Sequence, residues 1–359
     1  MADSEPVTTA GRIALVNLAA RIDGQVSRTR AGRLTIGERA ELVESIALRS
    51  HLLGCIADAE RAEALADLLV GEAPSDARSF AARARTSGLF HRFASALTDL
   101  DTAAYFGGDC VELDAERAAI YQTLGRYDEA LAIRRRAADT QGDFSTLAGL
   151  AGVYGERGEM DEAEHWFSAA RRCYRGTSPI PLAMVEFQRG HLWMEHDDLR
   201  RARPCFHAAV HRLPAYVPAQ GHLAELDAAQ GDTAVAIVRL RSLASASDDP
   251  SYATQLARIL ADAGRNEEAQ TWRTTAEVRY DELLARHEDA FADHAAEFWL
   301  TIGGDPQRAL RFARHNLSIR RTLRAHALVR RATGQLAGLP QTDLAHRLAT
   351  ASAGLTPFA

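Results

Sequence analysis

Lysine is absent: every one of the 42 basic residues is arginine. That single gap excludes a phosphate-loop lysine, a Schiff-base lysine and pyridoxal-phosphate chemistry. It is also what a GC-rich, bacterial coding background produces. Cysteine is scarce, with Cys55, Cys110, Cys173 and Cys205 scattered and no CxxC pair, so neither a zinc ribbon nor a disulfide framework is written here. The expectation is four buried, reduced thiols beside helices. No GxSxG elbow, dinucleotide glycine fingerprint or HExxH pair occurs, and the chain reads as a non-enzyme with no catalytic residue and no cofactor. The start, MADSEPVTT, is acidic where a signal peptide is basic, and Ile13–Ala20 is too short and interrupted to span a bilayer. The expected place is the cytoplasm, without membrane insertion. A net charge of −6 leaves no basic stripe for nucleic acid.

What is present is helical. Hydrophobic residues make up 47% and charged residues 25%, the balance of a folded soluble chain, and alanine, leucine and arginine dominate, residues that lose little freedom in a helix. A short helix is expected over Thr9–Ile22, stopping at Asp23-Gly24, followed by a linker, QVSRTRAGRL. Thr35 three residues before Glu38 forms a capping box for a strong helix.

One phrase then recurs: LGRYDEA ending at Ala130 and RGEMDEA ending at Ala163, 33 residues apart. Related phrases end at Ala62, Phe93, Ala202, Ala236, Ala269 and Ala309. A period near 34 residues marks a helical solenoid. The glycine ends one helix in a left-handed turn, and the acids after it favour the next helix's N-terminal dipole. This set of residues resembles the tetratricopeptide repeat (TPR) family; Gly190, Trp193, Ala202, Phe206, Ala209 and Pro214 match its pattern within one repeat. The resemblance implies an all-α, right-handed α-solenoid of tandem antiparallel helix pairs, about seven to nine repeats. Four segments follow: a tail, short helix and linker over 1–34, degenerate pairs over 35–110, a well-matched array over 111–276, and a long helix extension with capping helices over 277–359. Four residues depart from the pattern. Phe93 replaces the second-helix alanine, Arg134 and Arg273 stand where an aromatic is usual, and Asp227 replaces the first-helix aromatic.

The resemblance also implies a concave groove lined by the first helix of each pair, holding a peptide or partner protein of unstated identity; self-association of the array is compatible with it. Projected on the repeat register, the groove takes Arg78, Arg85, Gln122, Gly152, Gly155, Glu156, Phe187, His191, Met194 and Glu195, then Glu225, Arg258, Phe291, His294, Phe298 and Arg324. The projection is basic at its ends and aromatic near Phe187 and Phe298, which suits an amphipathic peptide with acidic ends. Gly149, Gly152, Gly155 and Gly158 recur every three residues, giving either a close helix approach or a floor for a ligand backbone. The alternative function is a small-molecule- or metal-responsive protein. His191 with Glu195, and His294 within the His287, Asp293, Glu297 cluster, are its weak metal candidates, each lacking a fixed third ligand.

Overall fold

The computed structural model describes residues 6–338, so the last part of the 277–359 segment, including any helix pair after Gly334, lies outside the described residues. Seventeen helices and no strand occur among them. They run α1 (Gly11–Arg30), α2 (Ile36–Leu53), α3 (Ile56–Glu72), α4 (Ala77–Leu89), α5 (Phe93–Tyr105), α6 (Cys110–Leu124), α7 (Tyr127–Thr140), α8 (Phe144–Glu156) and α9 (Met160–Cys173). Then come α10 (Ile180–Glu195), α11 (Leu199–Arg212), α12 (Val217–Ala229), α13 (Thr233–Ala246), α14 (Pro250–Asp262), α15 (Asn266–Leu300), α16 (Pro306–Ile319) and α17 (Leu323–Leu336). From α2 onward even-numbered helices are the first members of pairs and odd-numbered helices the second, as far as α15.

The turns explain the period. Gly125, Gly158, Gly231, Gly264 and Gly304 all have left-handed backbone, φ between +69° and +92°, where a Cβ is penalised. His91 and Asp197 take the same conformation at the same turn, with φ of 56° and 60°. The residue after each turn caps the second helix, and the fourth after that is alanine: Ala96, Ala130, Ala163, Ala202, Ala236 and Ala309 are all fully buried. The alanine of α5 is therefore Ala96, and Phe93 is not its substitute.

Other expectations are corrected as well. Thr35 and Glu38 do form the capping box of α2. The first helix, however, passes through Gly24 and the supposed linker to Arg30; Gly24 has no neighbour to demand its side chain's absence. The expected extension near Val278 is a second helix running straight into the next first helix within α15, broken at His287 (φ −141°, ψ 50°). Of the four thiols only Cys205 is buried, while Cys110 is exposed and Cys55 and Cys173 are half-buried. Burial pushes the Cys205 thiol up to about 11, which keeps it protonated.

The chain divides into two compact units. One takes the residues up to Tyr252, except Thr123–Gly125; the other takes those three and the chain from Ala253 onward. In the first unit, neighbouring first helices touch (α2 with α4, α8 with α10) and α2 also meets α12. The inner layer of first helices thus closes on itself. One apolar core joins Leu18 and Ile22 of α1, Val43 and Ile46 of α2, Trp193 of α10, Phe206 of α11, and Tyr216 and Leu223 beside and within α12. Burial of such side chains stabilises by ~2 kcal/mol each. Polar contacts seal the closure. The Asp248 carboxylate accepts from the Ile56 and Ala57 amides at 2.5 and 2.8 Å, and the Ser247 hydroxyl donates to the Gly54 carbonyl. The Thr9 amide donates to the Thr177 carbonyl at 2.8 Å. In the second unit, Tyr280, Phe298 and Phe312 are fully buried.

Candidate functional site

The first helices of the first unit meet in regular diagonal contacts. Counting back from each left-handed turn, the residue six before it touches the residue nine before the next turn. Arg85 of α4 donates to Glu116 of α6 at 2.6 Å. The Gln188 carboxamide of α10 lies over Gly152 of α8. The His191 ring of α10 lies 5.5 Å from that of His222 on α12. At the same two positions of α6 and α8 stand Ala119 and Gly149, which carry almost no side chain.

Around His191 the contacts widen into a cluster of rings. Phe187 lies 6.2 Å from His191, 5.7 Å from His222, 5.1 Å from Tyr216 and 6.3 Å from His51 of α2. His222 stacks on Phe206 at 5.0 Å. Carboxylates border the rings, with Glu195 at 3.3 Å from His191 Nε2 and Glu225 at 3.0 Å from His222 Nδ1. Glu156 and Glu195 both act on the Tyr127 hydroxyl, whose pKa rises through burial and those two charges. Phe187, His191 and His222 are half-buried, and His51 is exposed. The rings are therefore packed on one side and reached by solvent on the other.

His51 is placed to respond to pH. Its Nε2 lies 2.8 Å from the hydroxyl of Tyr216, which is fully buried and whose pKa burial raises well above the ordinary range. That hydroxyl keeps its proton and shares a hydrogen bond with the neutral imidazole. The protein packed around His51 lowers its pKa. The unfolded chain, with a histidine pKa of about 6.5, then binds the proton more readily than the folded one. Stability is full above about pH 6.5 and falls as the pH drops below it. Thermal unfolding between pH 7.5 and 5 should show this loss, and His51→Gln should shrink it; an equal slope in the variant would remove His51 as the cause.

The other projected groove residues are spread more widely. Met194 packs on the apolar core of the first unit, and Gly155 is filled by the Leu192 side chain. Gln122 and Gln188 lie over Gly152, so neither glycine is a bare floor; Gly158 serves the turn. Arg85 is held between Glu44 and Glu116. Arg78 forks onto Asp76, its own helix cap, at 3.0 and 2.7 Å. In the second unit, Arg258 and Arg324 are exposed, Phe291 is half-buried, and His294 is exposed with Asp293 at 3.9 Å. Phe298 contradicts the projection. It is fully buried against Tyr280 and Trp299, because the turn after it is one residue longer: the Asp305 amide donates to the Trp299 carbonyl six residues back, where the other turns close over five. His51, His222 and Tyr216 escaped sequence reasoning. His51 belongs to the site only through the closure of α2 on α12, a contact with no local signal. The hint for His222 was its place nine residues before Gly231, in line with Glu116, Gly149 and Gln188.

Two clefts lie elsewhere in the first unit. One, of about 460 Å³, holds the Arg83–Asp99 fork; the other, of about 490 Å³, holds Arg189 on Glu164 beside Trp193. Their acids and arginines are committed to one another, as clamps between neighbouring helices. Among the described residues no three histidine, cysteine or carboxylate groups converge as for a metal ion, and no helix is long and apolar enough to cross a membrane.

No family model and no curated protein matches this chain. Solved structures do. The human IFIT1 dimer with PPP-AAAA is similar at 16% identity over 80% of this chain and 73% of that one, with a TM-score of 0.52. The human IFIT1 dimer with m7Gppp-AAAA is similar at 14% over 83% and 76%, also with a TM-score of 0.52. A tetratricopeptide repeat protein from Parabacteroides merdae is similar at 15% over 72% and 98%, with a TM-score of 0.42. At such identities the likeness is one of fold.

Proposed function

We propose that this chain, which has the tetratricopeptide-repeat fold, is a non-enzymatic binding scaffold that holds a peptide segment of a partner protein on the inner layer of its first unit. The observation that carries this reading is the ring cluster of Phe187, His191, His222 and His51, open on one side and bordered by Glu195 and Glu225. Half-exposed rings offer apolar area at little entropic cost, and imidazoles and carboxylates beside them offer hydrogen bonds of both senses, the combination peptide grooves use. The PPP-AAAA named with IFIT1 belongs to that protein. Here the net charge of −6 and the glutamates at the rings favour a peptide over a polyanion. A metal-responsive role has less behind it, since His191 and Glu195 face each other without a third ligand.

The test is affinity capture from the native host with wild type and a His191→Ala/His222→Ala double variant, followed by mass spectrometry and by titration of the recovered partner's peptides. Those half-exposed rings can be removed without opening the core. Capture should fall at least tenfold in the variant, and undiminished capture would rule out this face. Arg85→Glu is unsuitable for this purpose, because Arg85 holds Glu44 and Glu116 together.

A further inference from the structure

The gap at Ala119 and Gly149 has an arginine beneath it. Arg134 stands eight residues after the Arg126 cap of α7, and the equivalent residues Leu100, Phe167, Phe206 and Leu240 are all fully buried and apolar. Phe206 stacks on His222 of the next first helix. Arg134 reaches the corresponding place, Gly149, and its guanidinium lies so close that a Cβ there would meet it at 2.8 Å. The guanidinium fills the space that a side chain at 149 would take.

That guanidinium is poorly satisfied. Its Nε is buried without a hydrogen-bond partner, and it forms no ion pair among the described residues. Arg273, the other arginine at this repeat position, behaves differently: it donates to the carbonyls of Ile302 and Gly303 at 2.9 and 3.0 Å. Glu116 attracts Arg134 only at a distance and is already bound by Arg85 at 2.6 Å. An arginine has five donors, and one whose Nε is buried without an acceptor carries a cost that needs a reason. Solvent reaches the place, since Ala119 is exposed and Arg134 half-buried. One helical turn along, the carboxamides of Gln122 and Gln188 converge over Gly152.

We propose that Arg134, with Gln122 and Gln188, forms a notch in the inner layer that receives the carboxylate of an acidic side chain from a bound peptide. The inference rests on the inner layer being the binding surface, and adds the chemistry of one ligand group. A carboxylate accepts the guanidinium fork in-plane, and the carboxamides supply further donors. One anionic charge fits; a phosphoryl dianion meets repulsion from Glu116 and Glu44 nearby.

The test uses acetylated hexaglutamate and, separately, adenosine triphosphate, titrated by calorimetry while the Arg134 Nε–H resonance is followed by NMR. Hexaglutamate should bind saturably and shift that resonance, with binding weakened at least tenfold in Arg134→Leu. The leucine matches Leu100 and Leu240, so its melting temperature should equal or exceed that of wild type. Gly149→Ala provides a second variant, because its Cβ displaces the guanidinium, and it should weaken binding in the same direction. Absence of hexaglutamate binding to wild type, or equal binding by both variants, would overturn the notch even if partner capture still depends on His191 and His222. Tighter binding of the triphosphate through Arg134 would overturn the carboxylate assignment.

Discussion

Asp227→Ala should lower folding stability by about 3–5 kcal/mol, the usual cost of leaving a buried charge without its counter-ion. Asp227 stands four residues before its turn, the place Tyr121, Tyr154 and Trp193 take in earlier first helices. Its buried carboxylate accepts from Arg203 Nη1 at 2.9 Å and lies 3.4 Å from Arg239 Nη2. Those arginines come from α11 and α13, the second helices on either side. With Asp227 removed, two half-buried guanidinium groups face each other between packed helices without the acid that joins them. Urea unfolding with hydrogen exchange over α11–α13 measures the effect; a loss below roughly 1 kcal/mol would mean that the arginines swing out to solvent. Replacing all three residues with apolar ones of similar volume should restore most of the stability.

Asp248→Ala should free the N-terminal helices. The cap residue of α3, Cys55, makes no side-chain cap bond, and the first two amides of α3 are held instead by the carboxylate of Asp248. Losing a helix cap costs about 1–2 kcal/mol, and this cap also ties the start of the first unit to its end. Exchange protection in α1–α3 should fall about tenfold for each 1.4 kcal/mol lost, while α6–α9 stays protected. Asp248→Asn retains capping oxygen and should behave much closer to wild type. Uniform loss of protection through the unit would show that Asp248 acts on global stability and not on the closure.

The helix pairs were legible because their chemistry is local. A left-handed turn calls for glycine and a tight helix crossing calls for alanine, at a fixed distance from each other. Where His91 and Asp197 replace the glycine that signature fades, and the register around Phe93 slipped by three residues. The inner face was legible as far as the period held: Arg85, Gly152, His191 and Glu225 share one row, each six residues before its turn. Phe298 did not follow, since the turn at Gly304 holds one residue more than the others and shifts the count by one. The closure was invisible, as no periodicity signals that Asp248 caps a helix 192 residues away. Arg134 and Gly149 each showed as oddities in the sequence, but only their contact makes one the reason for the other.

Closure also limits how this array can change length. An open solenoid gains or loses a repeat with little consequence, because each helix pair meets only its neighbours. Between the α2–α3 turn and Asp248 the number of pairs is set by a distance: one more or one fewer would carry the carboxylate past the amides of Ile56 and Ala57. The first unit therefore has a fixed circumference. The count of helix pairs between α2 and α13 cannot vary.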